Sequence, residues 1–300
     1  MPLHVGIVGW GEIAKVHAAK VKKAGAQVSA IVEDPKIKLD IDIPVYHSID
    51  DMLPHVDAVT IAVPNFLHAS FCLKVVRAGK PVYVEKPFCI TKEELDELEK
   101  VISKQKATVH VGYRLRWNPT VINIRERIKG VRKISCMYNL PMKTLDENKG
   151  WTLQYEKTGG GFFTLGVHSF DIARWIAGAR GEALTNFSAH AEGIEGSCDF
   201  PLHVQLSGTL PSGIEIVAGA DHRSGTPPGV EINIEADVGG NTYSILPPHL
   251  FDDEDIEFEG IIRNFISSAE QSAWNRDEFS EIIQTHRELL EARRIASIPK

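Results

Sequence analysis

Three hundred residues exceed the usual reach of a single hydrophobic core, so the chain is expected to fold as two domains. A hydrophobic share of 43% beside 24% charged residues, with no low-complexity block, is the composition of an ordinary soluble globular protein. A formal charge of −7 argues against a non-specific nucleic-acid binder, which needs a basic stripe to displace counterions, but leaves room for a local basic pocket.

The cysteines, Cys72, Cys89, Cys136 and Cys198, are far apart and carry no CxxC or other ligand-like spacing. They read as buried or incidental thiols suited to a reducing compartment, and no metal site is expected. No charged–apolar–small leader precedes Val5, and no apolar run approaches the ~20 residues needed to span a bilayer. The expected setting is the cytosol, without a membrane partner.

In chain order, the first third alternates short apolar runs with amphipathic stretches. Residues 3–8, 27–32, 58–63, 81–84 and 108–112 are predicted as strands, and 13–24, 49–53, 70–78 and 92–105 as helices. Thr91 and Glu94 have the spacing of a capping box at the last of these helices. The strand runs are nearly continuous in Val, Ile and Ala, as strands buried on both faces of a parallel sheet must be. After Trp117-Asn118-Pro119 the pattern changes. A helix over 120–128 leads to longer strands at 133–139, 183–192, 203–210, 214–221, 230–238 and 242–245, with Pro211-Ser212-Gly213 as a hairpin turn. Helices are predicted at 162–177, 259–273 and 277–296. The fold class is therefore α/β, with a doubly wound parallel sheet over residues 1–118. An α+β domain with a mainly antiparallel sheet follows over 119–300.

Chemistry concentrates at the ends of the early strands. The first strand runs into Gly9-Trp10-Gly11-Glu12-Ile13-Ala14 and then a helix, the context in which a glycine fingerprint signals a dinucleotide. Gly9 permits the tight turn, Gly11 lets a pyrophosphate approach the backbone, and Ala14 is small enough for the helix to pack on the sheet. The first amides of that helix, at Glu12 and Ile13, face the phosphates. Glu33 closes the second strand as acceptor for a ribose hydroxyl, and with Asp34 it disfavours a 2′-phosphate, so NAD is expected over NADP. Lys36 and Lys38 are the opposing feature, since either can swing toward a phosphate. Pro64-Asn65 ends the next main strand, with His68 in the following helix. They read as cofactor contacts or as a strand terminator and a surface histidine. Glu85-Lys86-Pro87 ends another, with Glu85 and Lys86 expected to border the cofactor, and the proline forces Lys86 into an extended geometry that projects its side chain.

Arg114 and Arg116 leave the fifth strand on one side, able to grip an anionic substrate group or to form ion pairs across the domain junction. Gly159-Gly160-Gly161 precedes an apolar segment that carries His168, whose ring titrates near neutrality and can take or return a proton. Asp171 lies one helical turn further on, as an orienter of His168 or as a helix-surface or interdomain charge. Trp151, Gln154 and Tyr155 form a candidate sugar-facing wall. Lys143, Asp146, Glu147 and Lys149 in the loop over 140–157 do not choose between neutral and charged substrates.

The order of these motifs resembles the glucose–fructose oxidoreductase / inositol dehydrogenase (Gfo/Idh/MocA) family over essentially the whole chain. The matching features are the GxGxxA start, Pro64-Asn65 with His68, Glu85-Lys86-Pro87, Arg116-Trp117-Asn118-Pro119, the triple glycine and Gly166-Val167-His168-Ser169-Phe170-Asp171. The resemblance implies a Rossmann domain, then an α/β domain whose open sheet often forms an interface in a homo-oligomer, a dimer or tetramer. It implies that Lys86 contacts both cofactor and the reacting hydroxyl and that His168 is the general acid/base; Arg116, Trp117 and Tyr155 are the expected substrate contacts. Many members carry an aspartate four residues before the histidine. Thr164 stands there in this chain and cannot take a proton or stabilise an imidazolium as a carboxylate does. The implied function is NAD-dependent oxidation of a secondary alcohol on a sugar, polyol or sugar derivative, nucleotide sugars included. The alternatives are an aldose 1-dehydrogenase and a catalytically silent NAD- or sugar-sensing protein on the same fold.

Overall fold

Short runs of β-branched residues between amphipathic segments build the first unit. The structure, a computed structural model, describes residues 1–141, 150–194, 198–238, 241–245 and 254–296, the side chains of 238 and 241–245 excepted. Lys143, Asp146, Glu147 and Lys149 lie outside the described residues. The chain divides into two compact units, Met1–Arg114 with Asp255–Phe279, and Leu115–Glu254 with Ser280–Lys300.

In the first unit β1 (His4–Val8), β2 (Gln27–Val32), β3 (Val45–Tyr46), β4 (Ala58–Ile61), β5 (Val82–Val84) and β6 (Val109–Val111) form one parallel sheet in the order β3-β2-β1-β4-β5-β6. Strand order reverses beside β1, which makes the carboxyl ends of β1 and β4 a switch point where open α/β sheets bind ligands. The connections are α1 (Glu12–Lys23), α2 (Ile49–Met52), α3 (His68–Arg77) and α4 (Lys92–Gln105). The capping box is present, with Thr91 accepting from the Glu94 amide and Glu94 reaching back to the Thr91 amide. β3 escaped the sequence reading because two residues carry no readable alternation.

The division after residue 118 differs from the observed units in two places. Arg116 and Trp117 fall in the second unit, and a later helix, Glu254–Glu270, returns to the first from Asp255 onward. Its Phe258, Ile261, Ile262, Phe265 and Ile266 recur on one face and are buried, Phe265 against Tyr83 and His110. Each such side chain contributes roughly 1.5–3 kcal/mol when fully buried. A linear reading has no access to this return of the chain.

The second unit holds α5 (Pro119–Arg127), β7 (Val131–Asn139), α6 (Tyr155–Thr158), α7 (Val167–Ala177), β8 (Thr185–Glu192), β9 (His203–Thr209), β10 (Glu215–Asp221), β11 (Gly229–Val238) and β12 (Asn241–Ile245). With α8 for Glu254–Glu270, the closing helix is α9 (Arg276–Ile295). The sheet order is β12-β11-β7-β10-β9-β8, antiparallel except for β7 beside β10. Alternate residues are buried, among them Ile134, Cys136 and Tyr138 on β7 and Ile216 and Ala218 on β10, and α7 lies against these two strands. The predicted helix over 162–177 is two pieces: Phe162–Gly166 is a π-helical turn, and α7 follows it. Buried Arg174 ties α7 to α9 by donating to Glu281 and Glu288, each at 2.6 Å. No helix among the described residues is long and apolar enough to cross a membrane.

Candidate active site

The β1–α1 turn is shaped for close approach. Gly9 has φ +86°, and a Cβ there would lie 2.5 Å from the Ala62 carbonyl oxygen, so only glycine fits. Gly11 caps α1 without any side-chain cap, and a Cβ built on it meets nothing within 4 Å. The first amides of a helix therefore face open space, the arrangement that binds phosphate. Ala14 is fully buried with Ile7 and Ile31. Glu12 pairs with Lys15 at 2.7 Å, and Ile13 is exposed. Glu33 is anchored on both oxygens, accepting from the Trp10 amide at 2.7 Å and the Asp34 amide at 2.8 Å. Each oxygen keeps a lone pair for a ribose hydroxyl. These features fit a dinucleotide held by Gly9, Gly11 and Glu33.

At the end of β4, Asn65 opens a short 3-10 turn and His68 starts α3. His68 is buried, not a surface residue: Nδ1 lies 2.6 Å from the Pro87 oxygen and Nε2 2.8 Å from the Val63 oxygen. Its ring thus joins the chain beyond β4 to the chain beyond β5. Burial lowers its pKa, against the pull of those two carbonyls and of Glu85.

Beyond β5, Glu85 Oε1 lies 3.0 Å from His17 Nε2 and accepts from the Tyr83 hydroxyl at 3.0 Å, while Oε2 accepts from the Lys86 amide at 3.3 Å. Burial alone would raise the Glu85 carboxyl. The hydrogen bonds from His17 and Tyr83, with the charge of Lys86, reverse that, and it stands below the usual range. Burial brings Lys86 down to about 8, Glu85 opposing and the Arg114 charge assisting. Arg114 itself pairs with buried Glu257 on α8.

In the second unit, His168 is buried and stacks on Tyr138 with centroids 5.5 Å apart and planes at 30°. Thr164, one turn earlier, donates to the Gly161 oxygen at 3.2 Å and lies 3.2 Å from His222 Nε2, whose Nδ1 is 2.9 Å from the Leu140 oxygen. Asp171 is held by Arg116, with Nε donating to Oδ2 at 2.9 Å and a second contact from Nη2 to Oδ1. Burial pushes Asp171 up to about 6 against the pull of Arg116. The arginines thus pair inside their own units rather than across a junction. Trp117 is half-buried beside Asn118, which caps α5. Tyr155 lines a cavity of about 710 Å³ with Gly159, Gly160, Phe162, Val204 and Arg293, and neither Thr164 nor His168 is among its lining residues. Among the described residues no cluster of three or more metal-ligating side chains occurs.

Sequence reasoning missed His17, Tyr83 and His222. His17 had a signal: it follows Ala14 by one turn on the buried face of α1. Tyr83 precedes Glu85 by two on an extended segment and so shares its side. His222 meets Thr164 across 58 residues, with no local signature.

Residues 3–113 match the family described as "Oxidoreductase family, NAD-binding Rossmann fold" (GFO_IDH_MocA). Inositol 2-dehydrogenase of Rhizobium meliloti (strain 1021) is 29% identical over 196 residues, 63% of this chain, and the match spans 59% of that relative's length. The crystal structure of myo-inositol 2-dehydrogenase from Lactobacillus plantarum superposes with a TM-score of 0.81 at 17% identity, over 99% of this chain and 97% of that one. A levoglucosan dehydrogenase in complex with NADH and levoglucosan gives 0.80 at 16% identity, over 99% and 98% of the two chains. At such identities the likeness of structures speaks for the fold. The first unit thus matches the NAD-binding Rossmann domain of the Gfo/Idh/MocA oxidoreductases, and the fold of both units agrees with that of the solved dehydrogenases.

Proposed function

We propose that the protein is an NAD-dependent oxidoreductase acting on a secondary alcohol of a sugar, polyol or sugar derivative. One observation carries the reading. At the carboxyl ends of a single sheet, an uncapped helix start behind Gly9 stands with a half-buried lysine brought down to about 8. A depressed lysine beside a ligand-binding strand end is a mark of chemistry rather than of solvation. Gly9, Gly11, Glu12, Ile13 and Ala14 form the pyrophosphate turn, Glu33 takes the ribose, and Pro64 and Asn65 border the cofactor. His68 serves by fixing Val63 and Pro87. When bound, the nicotinamide supplies the two-electron acceptor. Lys86 stabilises the developing alkoxide through a charge-assisted hydrogen bond, and His168 takes the hydroxyl proton.

The named inositol and levoglucosan dehydrogenases support a polyol or sugar as substrate. The fixed Glu33 carboxylate with Asp34 beside it supports NAD over NADP. Four free, buried thiols support a reducing, cytosolic setting, and the half-exposed second face of the antiparallel sheet supports a homo-oligomer. Thr164 favours a second reading: its neutral hydroxyl, turned to Gly161 and His222, motivates a catalytically silent NAD or sugar sensor. A screen of NAD and NADP against inositols, levoglucosan, monosaccharides and nucleotide sugars separates the two. NADH formation with any of them supports the enzyme, and thermal stabilisation by sugars without NADH supports the sensor. Lactone rather than keto product assigns an aldose 1-dehydrogenase.

A further inference from the structure

We propose that the cavity beside Tyr155 is a binding site for a neutral glycoside, separate from the place where His168 acts. It goes beyond the functional reading, which concerns the hydroxyl that reacts. The ring held here is one that does not react.

The cavity lies wholly in the second unit, where the triple glycine, the end of β8, the start of β9 and the last turn of α9 meet. Its volume of about 710 Å³ falls within the range of small-molecule pockets, roughly 300–1,000 Å³. The wall is built in place. The Tyr155 ring is seated against Gly160, where φ is +83° and a Cβ would come within 3.1 Å of the ring, so glycine admits it there. The Tyr155 amide donates to the Asp199 carboxylate, and the Arg293 guanidinium lies 5.5 Å from the Tyr155 ring centroid and 4.9 Å from that of Phe163. Tyr155 is nonetheless 37% exposed. A ring fixed on backbone and cation, yet open to solvent, is a preorganised platform rather than a core residue.

The lining chemistry selects the ligand. Phe162, Pro201 and Val204 supply apolar surface, which favours C–H groups over a hydrated ion. Glu156 and Asp199 bring two carboxylates and Arg293 one cation, so both signs line the cavity. A phosphate or carboxylate ligand would meet the two acids, and an amine would meet the arginine. Hydroxyls serve all three, because they donate to carboxylates and accept from a guanidinium. A pyranose ring has a flat face of C–H groups for an aromatic platform and hydroxyls around its edge. The volume leaves room for an aglycone or a second ring beside it. Neither Thr164 nor His168 lines the cavity, and Thr164 turns its hydroxyl to the Gly161 oxygen and His222, so a sugar here is not placed to react.

The test needs neither NAD nor turnover, so failure of the functional reading leaves it intact. Saturation-transfer NMR on the full chain screens methyl and p-nitrophenyl glycopyranosides of glucose, galactose and mannose, with cellobiose and maltose. Calorimetric titration then gives affinities. At least one glycoside should bind the wild type. Ala191→Trp puts a ring into the cavity at the half-buried end of β8, and Tyr155→Ala removes the platform. Each should weaken binding roughly tenfold or more, whereas His168→Ala should bind as the wild type does. Binding by no member of the panel overturns the proposal. An affinity unmoved in both cavity variants does so too, and an affinity lost in His168→Ala puts the sugar in the reacting site instead. p-Nitrophenol binding as tightly as its glycosides removes the sugar from the assignment. If Ala191→Trp does not fold, Tyr155→Ala decides alone, since it truncates a solvent-accessible ring.

Discussion

Each unit draws a cation out of water, wholly at Arg174 and partly at Lys86, and the two are treated in opposite ways. Arg174 in the second unit is fully buried and saturated: Glu281, Glu288 and the Glu182 carbonyl take its donors, and those carboxylates also accept the Gly181 and Leu184 amides. Lys86 in the first unit is brought down to about 8, and its neighbour Glu85 spends its oxygens on His17, Tyr83 and the Lys86 amide. A saturated cation is a tie between helices. A cation kept near its titration range is available for chemistry. Beyond the difference in exposure, the destination of the counter-charge separates the two cases.

The sharpest way to break this contrast is to remove the charge at each site. Lys86→Met should lower kcat/KM by about 10²–10³-fold with NAD affinity nearly intact, as expected for loss of a group that acts on the transition state. His168→Ala should fall by about 10²–10⁴-fold, the range for a general base. Steady-state NADH formation and cofactor titration read both. Turnover by the wild type should also decline as pH rises through about 8, because Lys86 must stay cationic. At the other site, Arg174→Leu leaves Glu281 and Glu288 buried without their cation. The expected loss is about 3–5 kcal/mol in urea unfolding. If Arg174→Leu were as stable as wild type while Lys86→Met unfolded, the two assignments would have to be exchanged.

A smaller effect tests a buried group that stays neutral. Burial holds His286 on α9 down at about 4. Between about 4 and about 6.5 the unfolded chain binds this proton and the folded chain does not, so stability falls as pH drops through that window, by about 3 kcal/mol in all. Asp171, raised to about 6, pulls the other way, since its folded form binds the extra proton. Comparing wild type with His286→Phe cancels that term. The variant should lose the acid sensitivity assigned to His286, and an unchanged difference between pH 7 and pH 4 would falsify the assignment.

How far the sequence could reach follows from the same contrast. Gly9, Gly11, Ala14, Glu33 and Lys86 sit at the ends of strands whose order and spacing are local, so their pattern survives in one dimension. The capping box at Thr91 is legible for the same reason. Arg116 with Asp171, Arg114 with Glu257 and Thr164 with His222 are separated by 55, 143 and 58 residues. Arg114, Arg116, Thr164 and Asp171 stood out in the sequence, but the side chain each would meet did not. Asp171 read as an orienter of His168, and its carboxylate is taken by Arg116. The return of Asp255–Phe279 to the first unit was hidden likewise, because an apolar helical face does not say which sheet it covers.

Thr164 gives the mildest of the expected effects and the most direct test of whether its neighbourhood takes part in turnover. Its hydroxyl donates its one proton to the Gly161 carbonyl and lies 3.2 Å from His222 Nε2. Thr164→Val keeps the shape and removes both contacts. The expected cost is about 1–3 kcal/mol in thermal or urea unfolding. Thr164→Ser keeps the hydroxyl and should recover most of it. If Thr164 only braces the helix start, kcat of the folded Val variant stays near that of wild type. If its hydroxyl instead orients His168 one turn away, kcat falls while KM for NAD holds, and Ser restores it. That split ties Thr164 to His168 or frees it, and so decides how much of the second unit's polar interior belongs with Lys86 rather than with Arg174.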